Sequence, residues 1–252
     1  MKFWNKKNKI EFFHSEPSII ENFPIIESKA LKLQWAKKAR EDFENSVNSG
    51  ITTKPYFTHL TRCPGIFDLF KYGYVISLHK DLIIQPVDND FEWHTVAGAS
   101  HLSQHIRILG VKRPSVDLIS KPPWANQTFM VKIETGWHVI APKGVKFIML
   151  PISYPDTFDF TATTGILNPA VATQINFQLY WNATDKETLI KSGTPLGHII
   201  PISEKKYQMV QRIMNQQDSD WVKKMESAYS SSFSRPSARK NIINMYKKYW
   251  KR

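Results

Sequence analysis

Between residues 129 and 202, apolar and polar residues alternate in short segments that are separated by Gly and Pro. In the clearest segment, 174–181, the odd positions hold Ile, Phe, Leu and Trp, and the even positions hold Gln, Asn, Gln and Tyr. A period of two places one set of side chains on each face of a β-strand. Similar segments at 129–135, 137–140, 146–150 and 196–202, with breaks at Gly136, Gly144 and Pro151, predict further strands. We therefore predict a mainly β protein with flanking helices and a sandwich or distorted-barrel core.

The segments outside this region predict helices and one hairpin. Residues 28–47 have apolar side chains at helical spacing, with Ser28 as the N-cap. Residues 73–85 predict a hairpin or bent pair of strands about His79 and Lys80. Helical spacing also predicts helices over 207–214, 218–229 and 240–252, whereas residues 10–26 are expected to be irregular or extended.

These patterns divide the chain into three parts. Residues 1–27 are expected to be a basic, largely irregular N-terminal segment. Residues 28–202 are expected to form the β-rich core domain, with one helix near its start. Residues 203–252 are expected to form a basic helical C-terminal arm.

The net charge of +12 is concentrated at the two ends of the chain. Residues 1–9 hold four lysines and no acid, and residues 203–252 hold twelve Lys or Arg against four Asp or Glu. The terminal segments are therefore the parts expected to meet nucleic acid, an acidic membrane surface or an acidic partner. Among their residues, the candidate contacts are Lys240, Lys247, Lys248, Tyr249 and Trp250. The same segment could instead be a docking arm that packs on its own core or on a neighbouring subunit, because its many apolar side chains are costly to leave in water.

The composition also indicates the cellular compartment in which the protein is expected. The sequence has no apolar run of the ~20 residues that a membrane-spanning helix needs, and no apolar block follows the N-terminal lysines as in a secretory signal. Its single cysteine, Cys63, excludes an internal disulfide. These features lead us to expect a cytoplasmic protein without a transmembrane segment.

One region is rich in side chains that bind metals. Glu92, His94, His101 and His105 are candidate ligands, because two imidazoles spaced like His101 and His105 share one face of a helix. Hydrogen-bonded loop histidines are the alternative interpretation. The sequence specifies no cofactor.

The turn residues of the β region follow a recognisable spacing. Pro142-x-Gly144, Pro151-Ile-Ser153, Gly165-Ile-Leu-Asn168, Asn182 and Gly193-Thr-Pro-Leu-Gly-His198-Ile-Ile follow one another over about sixty residues. This arrangement resembles the core of the dUTPase and dCTP deaminase family, which implies a β-clip or distorted-barrel fold. It is also similar to a bacterial and phage domain family of unknown function, in which G-W, P-x-G, G-I and K-G-x-P motifs follow one another at similar spacing.

The departures from this pattern concern the residues that carry the family's chemistry. Ser153 stands where the resemblance implies a phosphate-binding Ser, but Ile152 replaces the Arg beside it. Asn168 replaces the Asp that orients the attacking water, and an amide cannot accept that proton. His198 replaces the Gln of the last motif. Ser153, Asn168, His198 and Trp137 are therefore candidate ligand-binding residues, and no catalytic residue is identified.

Two classes of function follow from these observations. The first is a non-catalytic or functionally diverged binding or assembly protein of dUTPase-like fold, phage-related and homo-oligomeric, with a trimer implied by the resemblance. The alternative is an enzyme: a metal-dependent enzyme that uses the histidine cluster, or a nucleotide-processing enzyme with altered residues.

Overall fold

The computed structural model describes residues 8–50, 64–87, 90–95, 107–110, 130–232 and Asn244. Within these ranges the protein is mainly β, with three sheets and few helices. This confirms the predicted mainly β class. None of the described helices is long and apolar enough to cross a bilayer.

The largest sheet is organised around one long strand. In chain order its strands are β1 (Lys9–His14), β6 (Arg107–Gly110), β7 (Met130–Ile140), β9 (Phe160–Ala162), β11 (Gln174–Trp181) and β14 (Gln208–Ile213). The order across the sheet is β14-β1-β7-β11-β9. The strands β1 and β6 pair with different parts of β7, at 138–140 and 131–134 respectively. This six-stranded sheet therefore includes strands from both flanks of the predicted core.

Two smaller sheets complete the described fold. Their strands are β2 (Ile26–Glu27), β3 (Tyr74–Ser77), β4 (Leu82–Val87), β5 (Asp90–Thr95), β8 (Phe147–Leu150), β10 (Gly165–Leu167), β12 (Thr188–Ile190) and β13 (Pro195–Pro201). The five-stranded sheet has the order β10-β8-β13-β3-β2, and the three-stranded sheet has the order β12-β4-β5. The strands predicted in the 129–202 region are thus present, with β7 and β11 in the six-stranded sheet and β8 and β13 in the five-stranded sheet.

The main hydrophobic core contains side chains from all three sheets. In β11, the side chains of Ile175, Phe177, Leu179 and Trp181 are buried, as their spacing predicts. They belong to the same cluster as Phe12 of β1 and residues of the other two sheets. The alternation in this segment therefore identified the correct buried face.

The structure also describes several helices. They are α1 (Pro17–Asn22), α2 (Gln34–Asn48), α3 (Pro64–Leu69) and α4 (Gln216–Ser232). The prediction for 218–229 matches α4. The helix predicted from Ser28 begins only at Gln34, because Ser28–Ala30 form a 3-10 turn and Leu31 is extended. The predicted helix at 240–252 lies outside the described residues, apart from Asn244.

Two local predictions are wrong, and a third holds only in part. Residues 208–213 form the strand β14, because they pair with β1 along its whole length and so gain ladder hydrogen bonds that helical spacing does not reveal. The two strands predicted about His79 and Lys80 are present as β3 and β4. They do not pair as a hairpin, since β3 pairs with β13 and β2, and β4 pairs with β12 and β5. Gly136 does not end its strand: it has a φ of 71° inside β7, where the register with β11 shifts.

Candidate functional site

Asn168, which stands at the position of the resembled family's catalytic Asp, shapes its own turn after β10. Its Oδ1 accepts a hydrogen bond from the Ala170 N–H at 3.1 Å. Its main-chain oxygen accepts from the N–H groups of Val171 and Ala172 at 2.8 and 3.0 Å. Asn side chains commonly stabilise turns in this way. Both oxygens of Asn168 are therefore engaged within the turn.

His198 lies in the middle of β13 and is 1% exposed. Its Nε2 is 2.6 Å from the Tyr72 carbonyl oxygen and 2.6 Å from the Ser28 hydroxyl. A carbonyl can only accept, so Nε2 carries the proton and Nδ1 has the lone pair. That Nδ1 is buried without a hydrogen-bond partner among the described residues. Burial lowers the pKa of His198, partly offset by the hydrogen bond to Tyr72, so the neutral ring joins β13 to two other segments.

The fold separates the motif positions from one another. His198 pairs with Leu150 at the end of β8, and Ser153 is half-buried in the loop that follows this strand. Asn168 follows Leu167, which pairs with Phe147 at the start of β8. The two ends of β8 are about 10 Å apart at ~3.3 Å per residue. Ser153 and His198 therefore lie near one end of β8, and Asn168 lies at the other.

Trp137, the fourth predicted ligand-binding residue, belongs to the hydrophobic core. It is 1% exposed and lies in β7 next to the register shift. Its ring is edge-on to the ring of His14, with the centroids 5.3 Å apart. This side chain packs the interior and does not present a surface to a ligand.

The predicted metal ligands are only partly within the described residues. Glu92 and His94 lie two residues apart in β5, so they share one face of the three-stranded sheet, and both are exposed. His101 and His105 lie outside the described residues. Within the ranges that the structure covers, no group of three or more His, Cys, Asp or Glu could hold a metal ion. A metal site that includes His101 and His105 stays a prediction.

The predicted contact residues of the C-terminal segment, Lys240, Lys247, Lys248, Tyr249 and Trp250, also lie outside the described residues. Their role in binding nucleic acid or a partner stays a prediction.

The structure instead brings together polar residues and one phenylalanine where the parallel strands β1 and β14 end. We call this group the strand-end cluster; its residues are Glu11, Phe13, His14, His138, Arg212 and Asp218. The residues Phe13, Arg212 and His138 are direct neighbours on β1, β14 and β7. Four members, namely Phe13, His14, His138 and Asp218, are at most 6% exposed.

His138 contributes an uncharged imidazole to this cluster. Its ring stacks on Phe13, with the centroids 5.2 Å apart, and its Nδ1 lies 3.1 Å from the Thr173 hydroxyl. Burial lowers the pKa of His138 to about 4; nearby His14 also lowers it, and Asp218 opposes the shift. The imidazole is therefore uncharged at neutral pH.

Arg212 is the charged centre of the cluster. Its Nε donates to Glu11 at 2.9 Å, and its two amino groups donate to the carboxylate of Asp218. Its guanidinium carbon also lies 5.0 Å from the centre of the Phe13 ring. Burial opposes the charge, but the bonds to Asp218 and Glu11 outweigh it, so the pKa of Arg212 is raised. Each end of the guanidinium is thus engaged by a carboxylate.

Asp218 has a second role at the start of α4. Its side chain accepts from the Asn215 N–H at 2.9 Å, and its own N–H donates to Asn215 Oδ1 at 3.0 Å. This reciprocal pair is a capping box. The strand-end cluster thus joins β1, β7, β14 and α4. The hydrogen bonds and ion pairs of its side chains stabilise the contacts between these elements.

Sequence reasoning missed the strand-end cluster because its members are far apart in the chain. The one local signal was the Asn215-x-x-Asp218 spacing, which is typical of a helix N-terminus. Nothing in the sequence indicated that β14 would pair with β1, and hence that Arg212 would reach Glu11. Neither a protein-family model nor a characterised protein matches this chain.

Proposed function

We propose that this protein is a binding or assembly protein on a diverged dUTPase-like scaffold, and that it works without the catalysis of that family. The observation that carries the proposal is the use of Asn168 and His198 in internal hydrogen bonds. These are two of the positions at which the resembled family places polar motif residues. A family relationship to phage proteins is part of the same proposal.

The chemistry of these two positions supports this proposal. The amide of Asn168 cannot act as a base, and its oxygen is held by the turn that follows it. The Nδ1 lone pair of His198 is buried, and its ring is stacked against Phe70, with the ring centroids 6.3 Å apart. The three residues Ser153, His198 and Asn168 are also divided between the two ends of β8.

The catalytic half of the proposal is tested with a panel of nucleoside triphosphates and Mg²⁺. We expect neither hydrolysis nor deamination of any of them. Turnover that is lost in the variants Asn168→Ala or Ser153→Ala, with the fold intact by circular dichroism, would overturn the proposal.

A second copy of this chain is the partner that we propose for assembly. Ile166 of β10, Ile148 of β8 and Ile200 of β13 are aligned across the five-stranded sheet. Ile166 is 57% exposed and lies on an edge strand of the described sheet. Ile148 and Ile200 are half-buried, so the row is partly exposed, and a partly exposed apolar row at a sheet edge is typical of a contact between subunits. A trimer is the stoichiometry that the resemblance implies.

Light scattering on the full chain tests the assembly. We expect an oligomer for the wild type and a shift toward monomer for Ile166→Asp, because a charge would be buried in the contact. The matched control is Leu189→Asp, which changes a 47% exposed residue on the three-stranded sheet and should leave the mass unchanged. A strict monomer at all concentrations would contradict this part of the proposal.

A further inference from the structure

One corner of the fold collects lysines from three separate segments. The strands β1 and β14 are parallel, and Lys9 pairs with Gln208 at their start. The strand β7 is antiparallel to β1 and ends at this corner, because Glu11 pairs with Ile140. The turn after β7 carries Lys143 and Lys146, and the loop before β14 carries Lys205 and Lys206.

A main-chain hydrogen bond joins these two lysine-bearing segments. The N–H of Ile202 donates to the Lys146 carbonyl at 2.8 Å. The loop is further fixed by Ser203, whose hydroxyl lies 2.8 Å from the Tyr207 hydroxyl and accepts from the Lys205 N–H at 3.2 Å. We call Lys143, Lys146, Lys205 and Lys206 the basic corner. Its lysines are attached to ordered backbone, so their spacing is set by the fold.

The basic corner has little compensating negative charge. All four of its lysines are exposed, and none forms an ion pair with any residue that the structure describes. The segments 140–148 and 201–208 contain a single acid, Glu204. Two other acids form ion pairs elsewhere: Glu27 with Lys29, and Glu11 with Arg212. The corner is therefore a concentrated positive surface on a scaffold that is neutral between residues 10 and 202.

The N-terminal segment, which lies outside the described residues, is also basic in sequence. Residues 1–7 contain Lys2, Lys6 and Lys7 and no acid, and they are covalently continuous with the start of β1 at this corner.

We propose that the basic corner binds the phosphate backbone of nucleic acid without reading its sequence. Lysine ammonium groups neutralise phosphates as point charges, and this contact carries affinity without base specificity. A membrane surface fits less well, because peripheral membrane binding needs a broad apolar face beside the lysines. Ile202, at 54% exposed, is the one large apolar side chain exposed in the segments 140–148 and 201–208. The inference is independent of the proposed oligomer and of the proposed lack of catalysis.

Fluorescence anisotropy with a short labelled DNA duplex of arbitrary sequence tests the proposal. The test variant is K143Q/K205Q/K206Q in the full chain. We expect its affinity to fall about tenfold, and its slope of log K against log salt to become shallower by about 2 to 3, because each lost phosphate contact removes about 0.9 from the slope. Binding weakens without vanishing, since Lys146 of the basic corner remains.

Two matched variants test whether the loss of affinity depends on the position of the lysines or on the total charge of the protein. K32Q/K38Q/K191Q removes the same charge from exposed lysines beyond the other ends of β8 and β13 and should stay within about twofold of wild type. K143R/K205R/K206R keeps the charge and should retain binding. Circular dichroism and thermal melting confirm that all variants fold.

Several results would overturn the proposal. They are the absence of salt-dependent binding by the wild type, equal weakening by both Lys-to-Gln triple variants, or a preference for phosphatidylserine vesicles with no binding of the duplex. A tenfold loss confined to K143Q/K205Q/K206Q, together with the shallower salt slope, would support it.

Discussion

Gly197 shows how closely two sheets approach each other at the level of single residues. A Cβ atom at this position would lie 2.2 Å from Cε1 of Phe177, whose ring is 1% exposed in the core. The register of β13 against β3 also shifts between Pro195 and Gly197. A residue without a side chain is therefore required where β13 meets β11.

We predict that Gly197→Ala destabilises the protein by about 1 to 3 kcal/mol, because the added methyl overpacks a buried ring that cannot move away. Urea unfolding measures the change. The control is Gly165→Ala, since a Cβ at Gly165 has no heavy atom within 4 Å. Equal effects of the two substitutions would show that the Phe177 contact is not the cause.

His138 gives the strand-end cluster a defined response to pH. Its pKa is about 4 in the folded protein, against an ordinary value of 6.5 for a solvated histidine, so the unfolded chain binds a proton more readily. Stability is therefore unaffected by this group above pH 6.5 and falls as the pH decreases from 6.5 to 4. The lowered pKa of His138 corresponds to a loss of about 3 kcal/mol at most in the free energy of unfolding.

We predict that His138→Gln makes the stability of the protein less dependent on pH between 6.5 and 4. The number of protons taken up on unfolding in this range should fall by about one. Urea unfolding across this range provides the measurement. His94→Gln, which changes an exposed histidine of β5, should leave the slope unchanged. If wild type and His138→Gln had the same slope, the buried neutral state of His138 would be contradicted.

At the level of elements, α2 depends on a residue that is distant in sequence. Its N-cap, Leu33, offers no side-chain hydrogen bond. The carboxylate of Asp156 takes over this role, accepting from the N–H groups of Gln34 and Trp35 at 3.1 and 3.2 Å. The Trp35 indole also donates to the Tyr154 carbonyl at 2.5 Å. The loop after β8 therefore supplies the cap and the docking contact of α2, which has no fully buried residue.

We predict that Asp156→Ala weakens α2 selectively, at a cost of about 1 kcal/mol, because two N–H groups at the helix start lose their acceptor. Hydrogen exchange should become faster in residues 34–48 and stay unchanged in β7. Asp42→Ala, an exposed change within α2, should not accelerate exchange. Unchanged exchange in Asp156→Ala would mean that the cap does not stabilise the helix.

At the scale of the whole molecule, the two flanks of the chain meet in one sheet. The strand β14 pairs with β1 over six residues, and β1 pairs with the central β7. Arg212 and Asp218 join this terminal pair to α4. The ion pair of Arg212 and Asp218 therefore adds to the strand pairing that attaches the C-terminal flank.

We predict that Asp218→Asn costs about 3 to 5 kcal/mol, because Arg212 stays in a partly buried site after losing its main partner. Limited proteolysis should then cut the terminal strands sooner, and urea unfolding gives the free energy. Glu41→Gln, which breaks the exposed pair of Lys37 and Glu41, should cost about 0.5 kcal/mol or less. A small effect of Asp218→Asn would show that the flanks are held by β pairing alone.

Much of the β architecture and little of the candidate site followed from the sequence. The alternation at 174–181 identified both the strand and its buried face, because a period of two is a local property of the chain. The same reasoning failed at 208–213, where apolar residues at helical spacing form a strand. Burial of His138 and His198 was not predictable either, since both lie between strands that are distant in sequence.

The sequence by itself determined the mainly β class, most strands between residues 129 and 202, the helix α4 and the basic character of both ends. These features depend on side-chain periodicity, turn residues and charge, which are encoded over a few neighbouring positions. Only the tertiary structure decided which strands pair, which histidines are buried, what caps α2 and where the lysines converge. Those properties depend on contacts between residues such as Arg212 and Glu11, which are 201 positions apart in the chain.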